Sequence, residues 1–522
     1  MKKNNAFRRA AALMAALSIT VSLAAPAFAG TYYIDDGDIT ITKDTDGKQT
    51  VQQGETSSED EGEIIITTHK KAITSLESDL EGPAAEDTGF GPVVEDNYQP
   101  AQPEDAEEPK DADQPESTEE PKDADQPEGT DQPEDAEEPK AADRKESTEE
   151  PEDADRQESA DRQAQPQQAA PADAAPAAPA PANGFCKNII TVINKCADKV
   201  LNLTLKDVKI DVSDTGKNTG IPGTSVKGKA ALSVQGSGDV EIELDGENEL
   251  KSGFNRAGLE KTDFTFIGTP STGMLTLKDD NQKAGSLKAT GGQFGAGIGG
   301  VENGNGKNIT INGGTVEATG GDFGAGIGGG FGGSGENITI NGGTVTADGN
   351  DFGAGIGGGK ERKGENITIT GGTVNAAGGI GGGEGGNGKN ITITGGTVTA
   401  KGGVLGAGIG GGVVGSGTNI TITGGTVTAS GCAGAGIGGG IDGSGSNVTV
   451  SGAAQVTATA TDIGPDWSGA ATGATIGGGG SNTVDSDGNP VSIPGTEIQA
   501  DIIGLTTGYI HHIIYEQDGT TI

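Results

Sequence analysis

Aromatic residues make up only 3% of the 522-residue chain, which carries one tryptophan, Trp467, three cysteines and three histidines. Each scarcity removes a class of function. His69, His511 and His512 have no partner at metal-ligand spacing, so neither a metal nor a cofactor is expected. No Gly-x-Ser-x-Gly elbow is present and no Ser/His/Asp grouping can be assembled. So few aromatics make a poor stacking platform for sugars, although Trp467 remains a candidate. Cys186 and Cys196 flank one strand-like run and form a candidate disulfide, while Cys432 stands alone in a glycine-rich corner. Lys and Arg number 35 against 76 Asp and Glu, and the net charge of −41 argues against nucleic acid. The apolar run at residues 10–23 is too short for a stable membrane span.

That run has a different meaning. Lys2, Lys3, Arg8 and Arg9 precede it and Ala27-Phe28-Ala29 follows it, the pattern of a cleaved export signal over residues 1–29. The mature protein is therefore expected to be secreted, extracellular or associated with a cell surface.

What the chain has in abundance is glycine, 95 residues, and it is ordered into repeats. GAGIGG recurs around Ile298, Ile327, Ile356, Ile409 and Ile437, with a shortened copy at Ile380 and a diverged one at Ile476. A variant of G-x-N-I-T-I-x-G-G-T-V-x-A follows all but the last, with its asparagine at Asn308, Asn337, Asn366, Asn390, Asn419 and Asn447. A period of this length signals a stacked-repeat architecture. The alternation in Asn337-Ile338-Thr339-Ile340 is that of a half-buried strand, and so is Thr344-Val345-Thr346-Ala347. Three short strands per turn predict an all-β parallel β-helix over residues 184–480. Leu232, Leu259 and the seven isoleucine anchors imply about nine coils, and ~4.8 Å per rung then gives a stack of roughly 40 Å.

Equivalent residues should form columns. Ile309, Ile338 and Ile367 are expected inside, and Phe294, Phe323 and Phe352 in an aromatic stack continued later by Leu405. The asparagines are expected at turns, where they tolerate left-handed backbone and can link amides into a ladder. Outward threonines Thr339, Thr368, Thr392 and Thr421 form a rank that could face a regular polysaccharide, although threonine is also simply a good exposed strand residue.

Residues 30–84 read as short strands and a candidate N-terminal cap. Residues 274–277 match the valine phrase and residues 264–266 the asparagine phrase. Residues 95–165 hold 28 acidic and 7 basic residues, and a Pro/Ala-rich run ends at Ala182. Residues 85–183 are therefore expected to be a disordered acidic insertion. Residues 481–522 read as closing strands. Asp485-Ser486-Asp487-Gly488-Asn489 has calcium-loop spacing but lacks the remaining ligands, so a plain turn is expected. Catalysis on polysaccharide would need carboxylates gathered in one groove, and the coil charges Asp322, Asp351, Lys360 and Arg362 are scattered. A non-enzymatic protein is expected.

In GAGIGGG, NITITGGTVTA, NLTLKDVKIDVS and IELDGENELKSG the chain resembles a family of exported right-handed parallel β-helix proteins of Firmicutes and related gut bacteria. They are labelled carbohydrate-binding domain-containing or adhesin-like. The resemblance implies binding to polysaccharide or to host or cell-surface glycans, with a structural surface scaffold as the alternative and a polysaccharide lyase or hydrolase as a further one.

Overall fold

The computed structural model describes residues 29–69, 184–220, 224–263, 271–461, 472–486 and 489–515, all within one compact unit. The export signal through residue 28, the acidic stretch, residues 264–266 and Trp467 lie outside the described residues.

Before the acidic stretch come β1 (Gly30–Tyr33), β2 (Ile39–Lys43), β3 (Gln49–Gln53), β4 (Thr56–Glu59) and β5 (Ile64–Thr67). After it come β6 (Ile190–Asn194), β7 (Leu201–Lys206), β8 (Lys209–Asp211), β9 (Leu232–Gln235) and β10 (Val240–Lys251). Next are β11 (Leu259–Glu260), β12 (Leu275–Lys278) and β13 (Gly285–Thr290). The first glycine-rich coil is β14 (Ile298–Gly299), β15 (Gly306–Ile311) and β16 (Thr315–Thr319). These three strands lie on what we call the anchor, asparagine and valine faces of the helix, and the triplet recurs with each repeat.

Side-chain alternation decides what lies inside. Ile309, Ile338 and Ile367 are in register on adjacent strands and fully buried, whereas Thr339 and Thr368 between them point outward. Val316, Val345 and Val374 do the same on the valine face. The anchor column of Leu232, Leu259, Ile298 and their successors supplies the third wall of one continuous core. No coil could bury these side chains alone; its neighbours do so.

From β11 onward the anchor strands are only two residues long, and glycine allows the sharp bend that follows. Gly328 has φ 137°, and a Cβ there would lie 2.0 Å from the carbonyl oxygen of Gly357 in the next coil. Any larger residue would force the coils apart at this edge.

The stack is longer than the repeats alone imply. The anchor-face sheet has thirteen strands; β3 and β4 join antiparallel, and the rest are parallel. β2 and β6 thus add two rungs to the nine expected, for a length of about 48 Å. β5 pairs with β7 in parallel, Ile64 beside Leu203, and β1 pairs with β5. The segment expected to cap the helix therefore supplies rungs of it. At the other end, strand Tyr509–Tyr515 continues the valine face beside Gln455–Thr461.

One face assignment changes. Residues 274–277 were expected on the valine face, but Leu275 pairs with Ile309, so β12 lies on the asparagine face. β13 takes the valine position, with Leu287 beside Val316. Alternation is identical on the two faces; residues 279–284, which replace a Gly-Gly corner, set the phase.

Candidate functional site: a carboxylate cleft on the N-terminal rungs

The six asparagines fall at the bend inside each strand. All have φ between 54° and 56°, and the strand register skips them. Where the backbone cannot continue the ladder, the side chains do. Asn337 Nδ2 donates to Asn308 Oδ1 at 3.0 Å, Asn366 to Asn337 at 3.0 Å, Asn390 to Asn366 at 3.0 Å, Asn419 to Asn390 at 3.0 Å and Asn447 to Asn419 at 3.1 Å. Asn308 ends the ladder on the carbonyl of Thr272 at 2.9 Å. Beside it, Lys307 pairs with Glu336 at 3.1 Å, and Glu365 with Lys363 and Lys389. Along this column the charges pair with one another.

Thr339, Thr368, Thr392 and Thr421 stand in one outward column, half-buried, in register from rung to rung. Phe294, Phe323 and Phe352 stack at 5.2 and 5.1 Å between ring centres, and Phe254 and Phe331 meet Phe294 at the sides. Their faces cover one another, so those faces are not available to a sugar. Leu405 does not extend this column; the shortened Ile380 coil intervenes, and Leu405 sits in a small cluster with Val413, Ala433 and Ile441.

The candidate disulfide is not formed: Cys186 and Cys196 are both free and buried. Cys186 bridges to Ile210 on the valine face, while Cys196 follows the anchor-face strand β6. β6 is extended at ~3.3 Å per residue, which carries the two cysteines beyond the ~7 Å Cα reach of a disulfide. Burial pushes the Cys186 thiol up to about 11.

The outward columns change character toward the N-terminus. The Thr310 column continues through Thr276 and Glu241 to Asn202. The neighbouring column runs through Lys278, Glu243 and Thr204 to Ile65 and Thr31. Threonine ranks thus give way to a cleft of about 620 Å³ lined by Glu63, Glu241, Glu243, Asp245, Asp280, Lys278 and Lys283, among others. It adjoins a cavity of about 430 Å³ through the shared Ile65, Asp245 and Lys283; Tyr33, Lys206 and His69 also line that cavity. Tyr33 and His69 stack there at 4.0 Å.

The corner of residues 279–284 folds over the carboxylates. The backbone N–H groups of Asp280 and Asn281 donate to Glu243 Oε1 at 3.0 and 3.1 Å. Asn281 Nδ2 donates to Asp245 Oδ1 at 2.5 Å, and Lys283 Nζ to Asp245 Oδ2 at 3.1 Å. Lys278 bridges Glu241 at 3.2 Å and Asp280 at 3.5 Å. Thr204 donates its hydroxyl to Glu63. Glu243 is only 5% exposed, and its Oε2 has no hydrogen-bond partner among the described residues. Burial, reinforced by the adjacent Asp280 carboxylate, raises its pKa above the usual glutamate value.

This gathering corrects the expectation that charges are scattered. The signal was Glu241-x-Glu243-x-Asp245, which alternation puts on one face of β10. Glu63 and the corner residues come from distant segments that read as ordinary solvated strand and loop. The described residues contain no group of His, Cys, Asp and Glu arranged to hold a metal, and no helix among them is long and apolar enough to cross a membrane. Of the calcium-spaced residues, Asp487 and Gly488 lie outside the described residues, and Asp485 accepts from the Asn489 backbone at 2.8 Å beside the antiparallel pair Ser481–Val484 and Pro490–Ile493.

These features define a parallel β-helix protein. A family model described as "Beta helix repeat" matches residues 309–331, 338–360, 391–413 and 420–441. No curated protein and no solved structure matches the chain.

Proposed function

We propose that the protein is an exported, non-catalytic β-helix that binds polysaccharide or cell-surface glycan, and that the carboxylate cleft is its binding site. The observation that carries this reading is the change in the outward columns. Over the glycine-rich coils the column that continues Lys278 is spent on itself, Asn341 donating to Asn312 at 2.9 Å and Thr370 to Asn341 at 2.8 Å, and the column beside it carries threonine hydroxyls. In the N-terminal rungs the same columns line a groove with acceptors, donors and a tyrosine, the mix that orients a hydroxyl-rich ligand. The threonine rank leads into this groove and supplies a flat approach to it.

The test is a glycan array probed with the full chain, followed by calorimetry on any hit. Binding that is lost on replacing Asp245 and Glu241 by Asn and Gln supports the cleft. No binding to any glycan by folded protein would favour the scaffold reading, to which the internally satisfied coil faces also correspond.

One observation favours a polysaccharide hydrolase as a second reading. Glu243 is a buried carboxyl with a raised pKa beside Asp245 and Asp280, the kind of pairing from which glycosidases draw an acid and a base. Release of reducing ends from a bound polysaccharide would establish it.

A further inference from the structure

The chemistry of the cleft narrows the ligand, on the reading that it is a glycan site. Five carboxyl groups and two ammonium groups line it, and both lysines are already engaged, Lys278 with Glu241 and Asp280, Lys283 with Asp245. The balance is negative. At its floor, Glu243 Oε1 is held by two backbone N–H groups, while Oε2 has no donor among the described residues. A carboxyl oxygen so placed is stabilised by a proton or by a donor brought by a ligand, and a charged donor forms the stronger bond.

Lys283 shows how such a donor is received. Its side chain is 65% exposed, yet its ammonium reaches back over the cleft to Asp245, itself 3% exposed. It is an amine on an exposed stem, placed where a free amine would find the same carboxylate. Neutral sugars offer only hydroxyls, and acidic sugars would meet like charge.

We propose that the cleft selects a glycan bearing a free amine, with the sugar ammonium seated between Glu243 and Asp245 and with Lys283 as its internal competitor. Binding requires no covalent step. The contact is an ion pair in a partly dry groove, so it should weaken as salt is raised.

The probes are glucosamine tetramer and its fully N-acetylated counterpart, titrated into the full chain at about pH 6, where amines are protonated. The expected result is a preference for the free amine of roughly tenfold or more, lost in Glu243→Gln. Lys283→Ala removes the internal competitor and should tighten the amine, raising its preference over the acetylated oligomer; an unchanged or smaller preference would count against the inference. Circular dichroism checks that each variant keeps its strands. Equal affinity for the two oligomers, or an undiminished preference in Glu243→Gln, overturns the inference but leaves glycan binding standing. Failure of both oligomers to bind, with other glycans bound on the array, overturns it in the same way. Stronger binding of an oligolysine peptide than of either sugar would overturn it in favour of a peptide ligand. Failure of every glycan removes the underlying reading as well.

Discussion

A single asparagine in each coil does two jobs that can be separated by substitution. Asn366 holds a left-handed backbone, φ 56°, and its amide both donates to Asn337 and accepts from Asn390. Asn366→Gly keeps the backbone and loses the amide bonds, an expected cost of about 1 kcal/mol. Asn366→Ala adds the left-handed penalty of a residue with Cβ, for about 2 kcal/mol. Denaturant unfolding of both variants measures the order; equal costs would mean that the backbone geometry is unimportant. Glu243 carries a prediction of different sign. Its pKa is raised in the folded protein, so folding takes up protons and the stabilising contribution is complete below the unfolded glutamate value, about 4.3. It is lost as pH rises through the folded value. Glu243→Gln, which cannot ionise, should therefore melt higher than the parent near neutral pH, with the advantage shrinking toward pH 4. Melting curves over that range decide it; a constant offset would assign the effect to packing instead.

At the scale of the strand, the sequence is legible wherever one rule suffices. Ile338 and Ile340 inside, Thr339 outside, and the register of Val345 between Val316 and Val374 all follow from a period of two set within a period of one repeat. The reading fails where two faces share the same rule. Residues 274–277 alternate as well for one face as for the other, and only the length of the corner at residues 279–284 separates them. The cleft was hidden for a related reason: Glu63, Glu243 and Asp280 belong to three segments brought together by rung order, which no local pattern encodes. The bend after each anchor offers a direct test of close approach. Gly328→Ala places a Cβ 2.0 Å from the Gly357 carbonyl oxygen and demands φ 137° of an alanine. It should cost about 3 kcal/mol or more. The same change at Gly54, which has open space around its Cβ position, should cost about 1 kcal/mol. Urea midpoints of the two variants compare them.

For the molecule as a whole, repetition makes length adjustable. Deleting residues 335–363 removes one full repeat and joins equivalent positions, so Gly364 inherits the neighbours of Gly335. The shortened protein should keep its strand content and lose about 4.8 Å of length, as small-angle scattering and circular dichroism would show. Deleting residues 335–349 removes a fraction of a turn, puts the isoleucine columns out of phase, and should abolish cooperative folding.

The N-terminal rungs also bear on covalent continuity. β2 and β5 are bonded strand to strand with β6 and β7, across an interval that runs from residue 70 to residue 183. Severing any one peptide bond in that interval leaves every one of these pairings untouched. The clipped protein should elute as a single species and divide into two fragments only in denaturant, and the carboxylate cleft, assembled from both fragments, should outlive the cut.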